Sequence, residues 1–199
     1  INADKATYEI QYGNVERPTH KNTSWDRAKF EVCAHKYADL SESDYGVTLL
    51  NDCKYGYETY GSEMKLTLLR SATYPNPNGD KEIHKFTYSL RTHEHALRNS
   101  DIYRTAYELN NGVVLKKAQK GTGNLPNEYS FVSTPNENII IDSAKKAENG
   151  NGYIVRAFES LNKTTECILS FGQNPKAVYE CDLLENKEQK LHCEDAKLT

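Results

Sequence analysis

The chain has 199 residues and a formal net charge of −3, with 37% hydrophobic, 27% charged and 10% aromatic residues. That length holds one large domain, or a medium one beside a small one, and buries a core without covalent staples. The composition excludes a disordered, collagen-like or membrane chain, and the acidic balance offers no basic field for nucleic acid.

A hydrophobic period of two dominates the chain. From Thr7 to Tyr12, Tyr8, Ile10 and Tyr12 share a face. From Lys29 to His35, Phe30, Val32 and Ala34 do the same. Tyr45–Leu50 and Met64–Leu69 read as more continuously buried strands, and His84–Leu90 repeats the alternation with Phe86, Tyr88 and Leu90. Turn formers separate these runs, at Tyr12-Gly13-Asn14, Gly61-Ser62, Pro75–Gly79 and Asn110-Asn111-Gly112. Between Ser100 and Leu109, the residues Ile102, Ala106 and Leu109 fall on one helical face, with Ser100 or Asp101 as the cap. The stretch from Lys120 to Asn127, rich in glycine and asparagine, is the predicted linker and ends near Ser133–Asn136.

Beyond the linker the strand pattern resumes. Asn138–Ser143 and Tyr153–Glu159 are joined as a hairpin through Glu148-Asn-Gly-Asn-Gly152. Glu166–Phe171 and Ala177–Leu184 follow, and another strand begins at Lys190–Cys193. Asp195–Thr199 shows no closing strand partner. These runs predict an all-β chain of antiparallel sheets packed as a β-sandwich. A larger sandwich is expected over residues 1–133 and a smaller segment over 134–199.

Residue counts add a second layer. There are 14 tyrosines against five phenylalanines and one tryptophan. Tyrosine suits half-buried strand positions, ring inside and hydroxyl at water. The only methionine is Met64, and Ile1 is too large to follow a removed initiator, so a piece of a longer polypeptide is expected. No apolar run approaches a membrane span. The cysteines Cys33, Cys53, Cys167, Cys181 and Cys193 are odd in number and irregularly spaced, without a C-x-x-C pair. They predict free thiols in a reducing, cytoplasmic compartment.

Few residues announce chemistry. His93-Glu94-His95 alternates as metal ligands on a strand would, but without a placed third ligand it reads as a solvated surface pair in a loop. The 28 acidic residues show no marked pair for glycoside hydrolysis. No Gly-x-Ser-x-Gly elbow, phosphate loop or dinucleotide fingerprint is present. Two polar loops are denser in special residues. Glu16–Asp26 holds His20 and the sole tryptophan, Trp25, the pairing of aromatic platform and hydrogen-bonding groups that a sugar surface needs. A capped turn with a half-buried tryptophan is the plainer account. Asn51-Asp52-Cys53-Lys54-Tyr55-Gly56-Tyr57 follows a buried strand, where a rigid site is easily held. A hairpin end with solvated charges is the plainer account there.

Val15–Val32, containing Glu-Arg-Pro-Thr-His-Lys-Asn-Thr-Ser-Trp-Asp, resembles the C-terminal region of glycoside hydrolase family 38 α-mannosidases. So do Ala38–Tyr57, Leu68–Ser71, Tyr74–Pro77, His84–Tyr88 and Leu109–Asn111, and later Lys145–Glu148, Arg156 and Glu159, in the same order over nearly the whole chain. The cytosolic and bacterial branch is the most similar. The resemblance implies a large, galactose-mutarotase-like super-sandwich followed by a smaller sandwich. It implies a full-length enzyme that hydrolyses terminal α-linked mannose with retention. The carboxylate nucleophile and a zinc ion would belong to an N-terminal α/β domain, so no catalytic residue and no metal ligand is carried onto this chain. Its implied partners are that catalytic domain and a mannose-containing oligosaccharide, with self-association left open and no nucleic acid or membrane. Asn51, Asp52, Lys54 and Tyr55 match the loop that reaches the active-site rim, and His20 and Trp25 join them as candidate sugar contacts. Arg156 and Glu159, three apart on a strand, are expected to face opposite ways in structural roles. An autonomous carbohydrate-binding module, or a purely structural or oligomerisation domain, remains the alternative.

Overall fold

The computed structural model describes residues 1–119, 121–124 and 126–198, and the chain divides into two units, Ile1–Val114 and Leu115–Thr199. In chain order the first unit holds β1 (Lys5–Ile10), β2 (Gly13–Pro18), α1 (Ser24–Ala28), β3 (Val32–Cys33), β4 (Tyr37–Ser41), β5 (Tyr45–Asn51), β6 (Gly56–Tyr60), β7 (Glu63–Thr67), β8 (Tyr88–Glu94) and α2 (Ile102–Asn110). All its strand pairings are antiparallel. They form a five-stranded sheet in the order β2-β1-β4-β5-β8 and a three-stranded sheet in the order β3-β6-β7.

Side-chain alternation sorts the two faces of the larger sheet. Tyr8 pairs with Ala38 across β1 and β4, and Leu40 pairs with Val47 across β4 and β5. That face packs on the smaller sheet, giving a buried cluster of Ala6, Tyr8, Ala34, Ala38, Leu40 and Tyr57. Val32, Met64 and Leu66 of the smaller sheet close against it. The Tyr8 and Tyr57 rings meet edge-on at 6.5 Å. The opposite face carries Glu9, Asp39, Thr48 and His93, all buried. There α2 covers β5 with the buried Ile102, Tyr103 and Ala106. The first unit is thus a two-sheet sandwich with a helix on one outer face.

Several sequence expectations shift. The first strand stops at Ile10, because Tyr12 takes a positive φ of 55° in the turn and is exposed. Over 29–35 only Val32–Cys33 is strand, since the preceding residues wind into α1 behind a Thr23/Asp26 capping box. Phe86, Tyr88 and Leu90 do not form a buried face. β8 is an edge strand, the smaller sheet packs over β1 and β4, and Leu90 stays 69% exposed. Ile102–Asn110 is helical as the 3.6 period predicts, but Asp101 spends its carboxylate on Arg91 at 2.8 and 2.9 Å instead of capping.

The second unit, also antiparallel, holds β9 (Val132–Ser133), β10 (Ile139–Lys146), β11 (Tyr153–Glu159), β12 (Leu169–Phe171), β13 (Val178–Cys181), β14 (Lys187–Leu191), β15 (Cys193–Glu194) and β16 (Lys197–Leu198). The hairpin β10–β11 forms through the predicted turn, with a bulge between Ile141 and Ser143. Val132–Ser133 pairs with Ser170–Phe171, so a boundary at 133 falls inside this unit. The predicted linker residues Lys120 and Leu125 lie outside the described residues. Lys197–Leu198 does find partners, in Leu169–Ser170 and Cys193–Glu194, which corrects the expectation of an unpaired end.

Candidate functional site

The loop after β5 is built around Asn51. Its side chain is fully buried and every polar atom is used. Nδ2 donates to the His35 carbonyl at 2.7 Å and to the Tyr57 hydroxyl, while Oδ1 accepts from the backbone N–H groups of Cys53 at 2.9 Å and Lys54 at 2.5 Å. Asn110, at the end of α2, donates to the Asn51 carbonyl at 3.0 Å. Asn51 therefore shapes the loop, and its side chain faces no solvent. The sequence signal was available: an asparagine bonding the backbone two and three residues on is an Asx turn.

Asp52 also points into the scaffold. Its Oδ1 accepts from Thr87 N–H at 2.9 Å, and that backbone hydrogen bond holds its carboxyl below the usual range. Its own N–H donates to the Thr87 carbonyl at 3.1 Å. The loop is thus pinned to the segment entering β8. What it presents outward is Lys54 and Tyr55. Lys54 Nζ lies 5.0 Å from the Phe86 ring centroid and makes no ion pair among the described residues. Tyr55 is 52% exposed and meets the His35 ring edge-on at 5.6 Å.

Beside Lys54 opens a cleft of about 310 Å³, lined among others by Glu31, Thr67, Arg70, Asp80 and His84. The Glu31 carboxylate packs over Gly56, where a β-carbon would collide with it. His84 Nε2 lies 2.8 Å from the Asp80 carbonyl, and Asp80 Oδ2 accepts from Ser71 N–H at 2.8 Å. Cationic, carboxylate and hydroxyl groups on one concave wall are suited to binding polyhydroxylated ligands. Glu31, Arg70 and His84 were not singled out as site residues from sequence. Arg70 and His84 nonetheless stand inside the family-like segments Leu68–Ser71 and His84–Tyr88.

His20 and Trp25 lie elsewhere. β6 runs from Gly56, next to the Lys54 loop, to Tyr60, where Gly61 N–H donates to the Thr19 carbonyl at 2.8 Å. The two loops are therefore separated by a strand length of about 16 Å. Trp25 is 77% exposed on α1, not half-buried, and His20 Nδ1 is 3.6 Å from Asp26 Oδ2. The structure keeps Asn51, Asp52, Lys54 and Tyr55 together at the end of β5 and leaves this pair at the opposite end of the sandwich.

The His93-Glu94-His95 motif is not a solvated pair. His93 lies in β8 and is buried, with Nε2 2.8 Å from Asp39 Oδ2 and Nδ1 3.1 Å from the His95 carbonyl. Asp39 also accepts from Thr48 Oγ1 at 2.5 Å and Ser41 Oγ at 2.6 Å. Among the described residues no group of three His, Cys, Asp or Glu side chains could hold a metal ion, so the residues present do not fit a zinc site. The five cysteines are free. Among the described residues no helix is long and apolar enough to cross a membrane.

Comparison with known proteins places this architecture. Residues 1–78 match the model of the glycosyl hydrolases family 38 C-terminal domain, and residues 138–199 match that of the family 38 C-terminal beta sandwich domain. The chain is 44% identical over 193 residues to Alpha-mannosidase G of Dictyostelium discoideum, covering 95% of this chain and 18% of that protein. The chain belongs to glycosyl hydrolase family 38, in its C-terminal region.

Other family 38 relatives agree. Alpha-mannosidase of Saccharomyces cerevisiae is 38% identical, and human Alpha-mannosidase 2C1 is 35% identical, each over 96% of this chain and 19% of that protein. The solved structure of an alpha-mannosidase from Enterococcus faecalis superimposes with a TM-score of 0.80 at 19% identity, over 100% of this chain and 23% of that one. The fold of the family 38 chain is shared with that enzyme. It spans about one fifth of the length of the curated relatives it matches.

Proposed function

We propose that this chain is the C-terminal β region of an α-mannosidase whose full-length form hydrolyses terminal α-linked mannose with retention. In that enzyme the chain packs on its own N-terminal catalytic domain and lends the loop Asn51–Tyr55 to the active-site rim. Lys54 donates hydrogen bonds to sugar hydroxyls, and Tyr55 offers a ring face. Asn51 and Asp52 act through the loop, as positioning residues. A zinc ion, if bound by the full-length protein, belongs to residues outside this chain. The free thiols support a reducing, cytoplasmic setting.

The observation that carries the assignment is Lys54, held outward by a fully buried Asn51, beside a polar cleft, in a chain whose relatives are named α-mannosidases. His20 and Trp25, at the far end of the sandwich, are left out of the rim. The test is Lys54→Ala in the full-length enzyme. With an aryl α-mannoside, kcat/KM falls about tenfold, the size of a lost charged hydrogen bond, while the melting temperature is unchanged. Unaltered kinetics would remove Lys54 from the rim.

A further inference from the structure

We propose that the cavity between Arg17 and Thr59 is a binding site for one halide-sized monovalent anion. Arg17 lies on β2 and pairs with Ala6, so its side chain enters the sandwich from the larger sheet. Thr59 lies on β6 and is only 8% exposed, so its side chain enters from the smaller sheet. The two meet at the His20 end of the core, and both line the same cavity. Arg17 Nη1 and Thr59 Oγ1 are the two buried side-chain polar atoms without a hydrogen-bond partner among the described residues. The Tyr8 phenol lies beside Thr59, yet the two hydroxyls do not reach hydrogen-bond geometry.

Orphaned buried donors are rare because each forfeits its hydration without replacement. Here both can donate, and both side chains line one small cavity. The cavity volume of about 20 Å³ takes one water-sized body and excludes a sugar ring. The charge of the wall selects an anion over water. Three cations, Arg17, Lys21 and Lys29, face two carboxylates, Asp26 and Glu58. The cations outnumber the carboxylates by one, and both carboxylates already have partners, one of them within the wall. Glu58 is held by Lys21 at 2.5 Å and Lys65 at 3.1 Å, and Asp26 Oδ2 accepts from the N–H and hydroxyl of Thr23 at 3.0 and 2.8 Å. Among the described residues Arg17 has no carboxylate partner. Its guanidinium stacks at 4.6 Å on the Tyr8 ring, and burial pushes its pKa below the ordinary value. A small anion between Nη1 and Oγ1 would accept both orphan hydrogens and neutralise the buried cation.

The experiment is a thermal melt of the full chain in sodium chloride or bromide against sodium methanesulfonate, too large for the cavity, at equal ionic strength. A saturable rise is expected in the halides, of about 4 °C at a tenfold excess over Kd. Thr59→Val, nearly isosteric and folded, weakens halide binding at least about fivefold, and Arg17→Met abolishes the response. In bromide-soaked crystals an anomalous peak appears between Arg17 Nη1 and Thr59 Oγ1. Equal melting in halide and methanesulfonate, or an undiminished response in Thr59→Val, or a water without anomalous signal at that position, overturns the proposal. If Arg17→Met does not fold, Thr59→Val alone decides.

Discussion

Gly46 sits in β5 opposite His93, and a β-carbon there would overlap the imidazole ring and approach the Ser41 β-carbon to 2.7 Å. The missing side chain gives His93 the space to reach Asp39 across the intervening strand. Gly46→Ala is therefore an overpacking change, expected to lower stability by about 1–3 kcal/mol in urea unfolding. An unchanged midpoint would mean that the ring moves aside freely. Asn51 gives the complementary case. Its residue type suggested a sugar contact, but all of its hydrogen-bonding capacity is taken up by the protein's own groups. Residue type names the chemistry available, and the fold decides which partner receives it.

At the scale of elements, Glu159 closes the base of the β10–β11 hairpin. It accepts from Asn138 Nδ2 at 2.7 Å, from Leu161 N–H at 2.9 Å and from Lys163 N–H at 2.8 Å. Burial alone would raise its pKa, but the hydrogen bonds from Lys163, Asn138 and Leu161 outweigh it and leave the carboxyl below its ordinary value of 4.5. A carboxyl with a depressed folded pKa stabilises fully above its unfolded pKa, and that contribution is lost as pH falls through the folded one. The melting temperature of the wild-type chain should thus fall between about pH 5 and pH 3. Glu159→Gln should fall less steeply across that range. Parallel pH profiles for the two proteins would show that this contact contributes nothing. The hairpin itself was legible in sequence, because Asn149–Gly152 is a strong turn signal. The edge position of β8 was not, because alternation marks two faces without saying which is covered.

For the whole molecule, the strand pairings among the described residues fall within the two units Ile1–Val114 and Leu115–Thr199. β1 to β8 pair among themselves, and β9 to β16 do likewise. The first unit also contains its own core cluster and covering helix. Residues 1–114 expressed alone should therefore keep a β-type circular dichroism spectrum and a cooperative melt. A non-cooperative melt would show that the first unit depends on the second for its packing. Glycine, proline and asparagine cluster before residue 133 and suggest a boundary there. Composition locates irregular backbone, whereas pairing partners define a folding unit, and Val132–Ser133 pairs forward in the chain.

The sequence by itself determined the secondary-structure class, most strand positions, the hairpin turns, the helix from Ile102 and, through its ordered motifs, the family. These are local properties, set by side-chain periodicity and turn chemistry over a few residues. Only the tertiary structure decided that His93 is buried on Asp39, that Asp52 ties the loop to Thr87, that Trp25 stands at the other end, and that Arg17 and Thr59 line one cavity. Each depends on register and sheet packing between residues tens of positions apart, which no local pattern encodes.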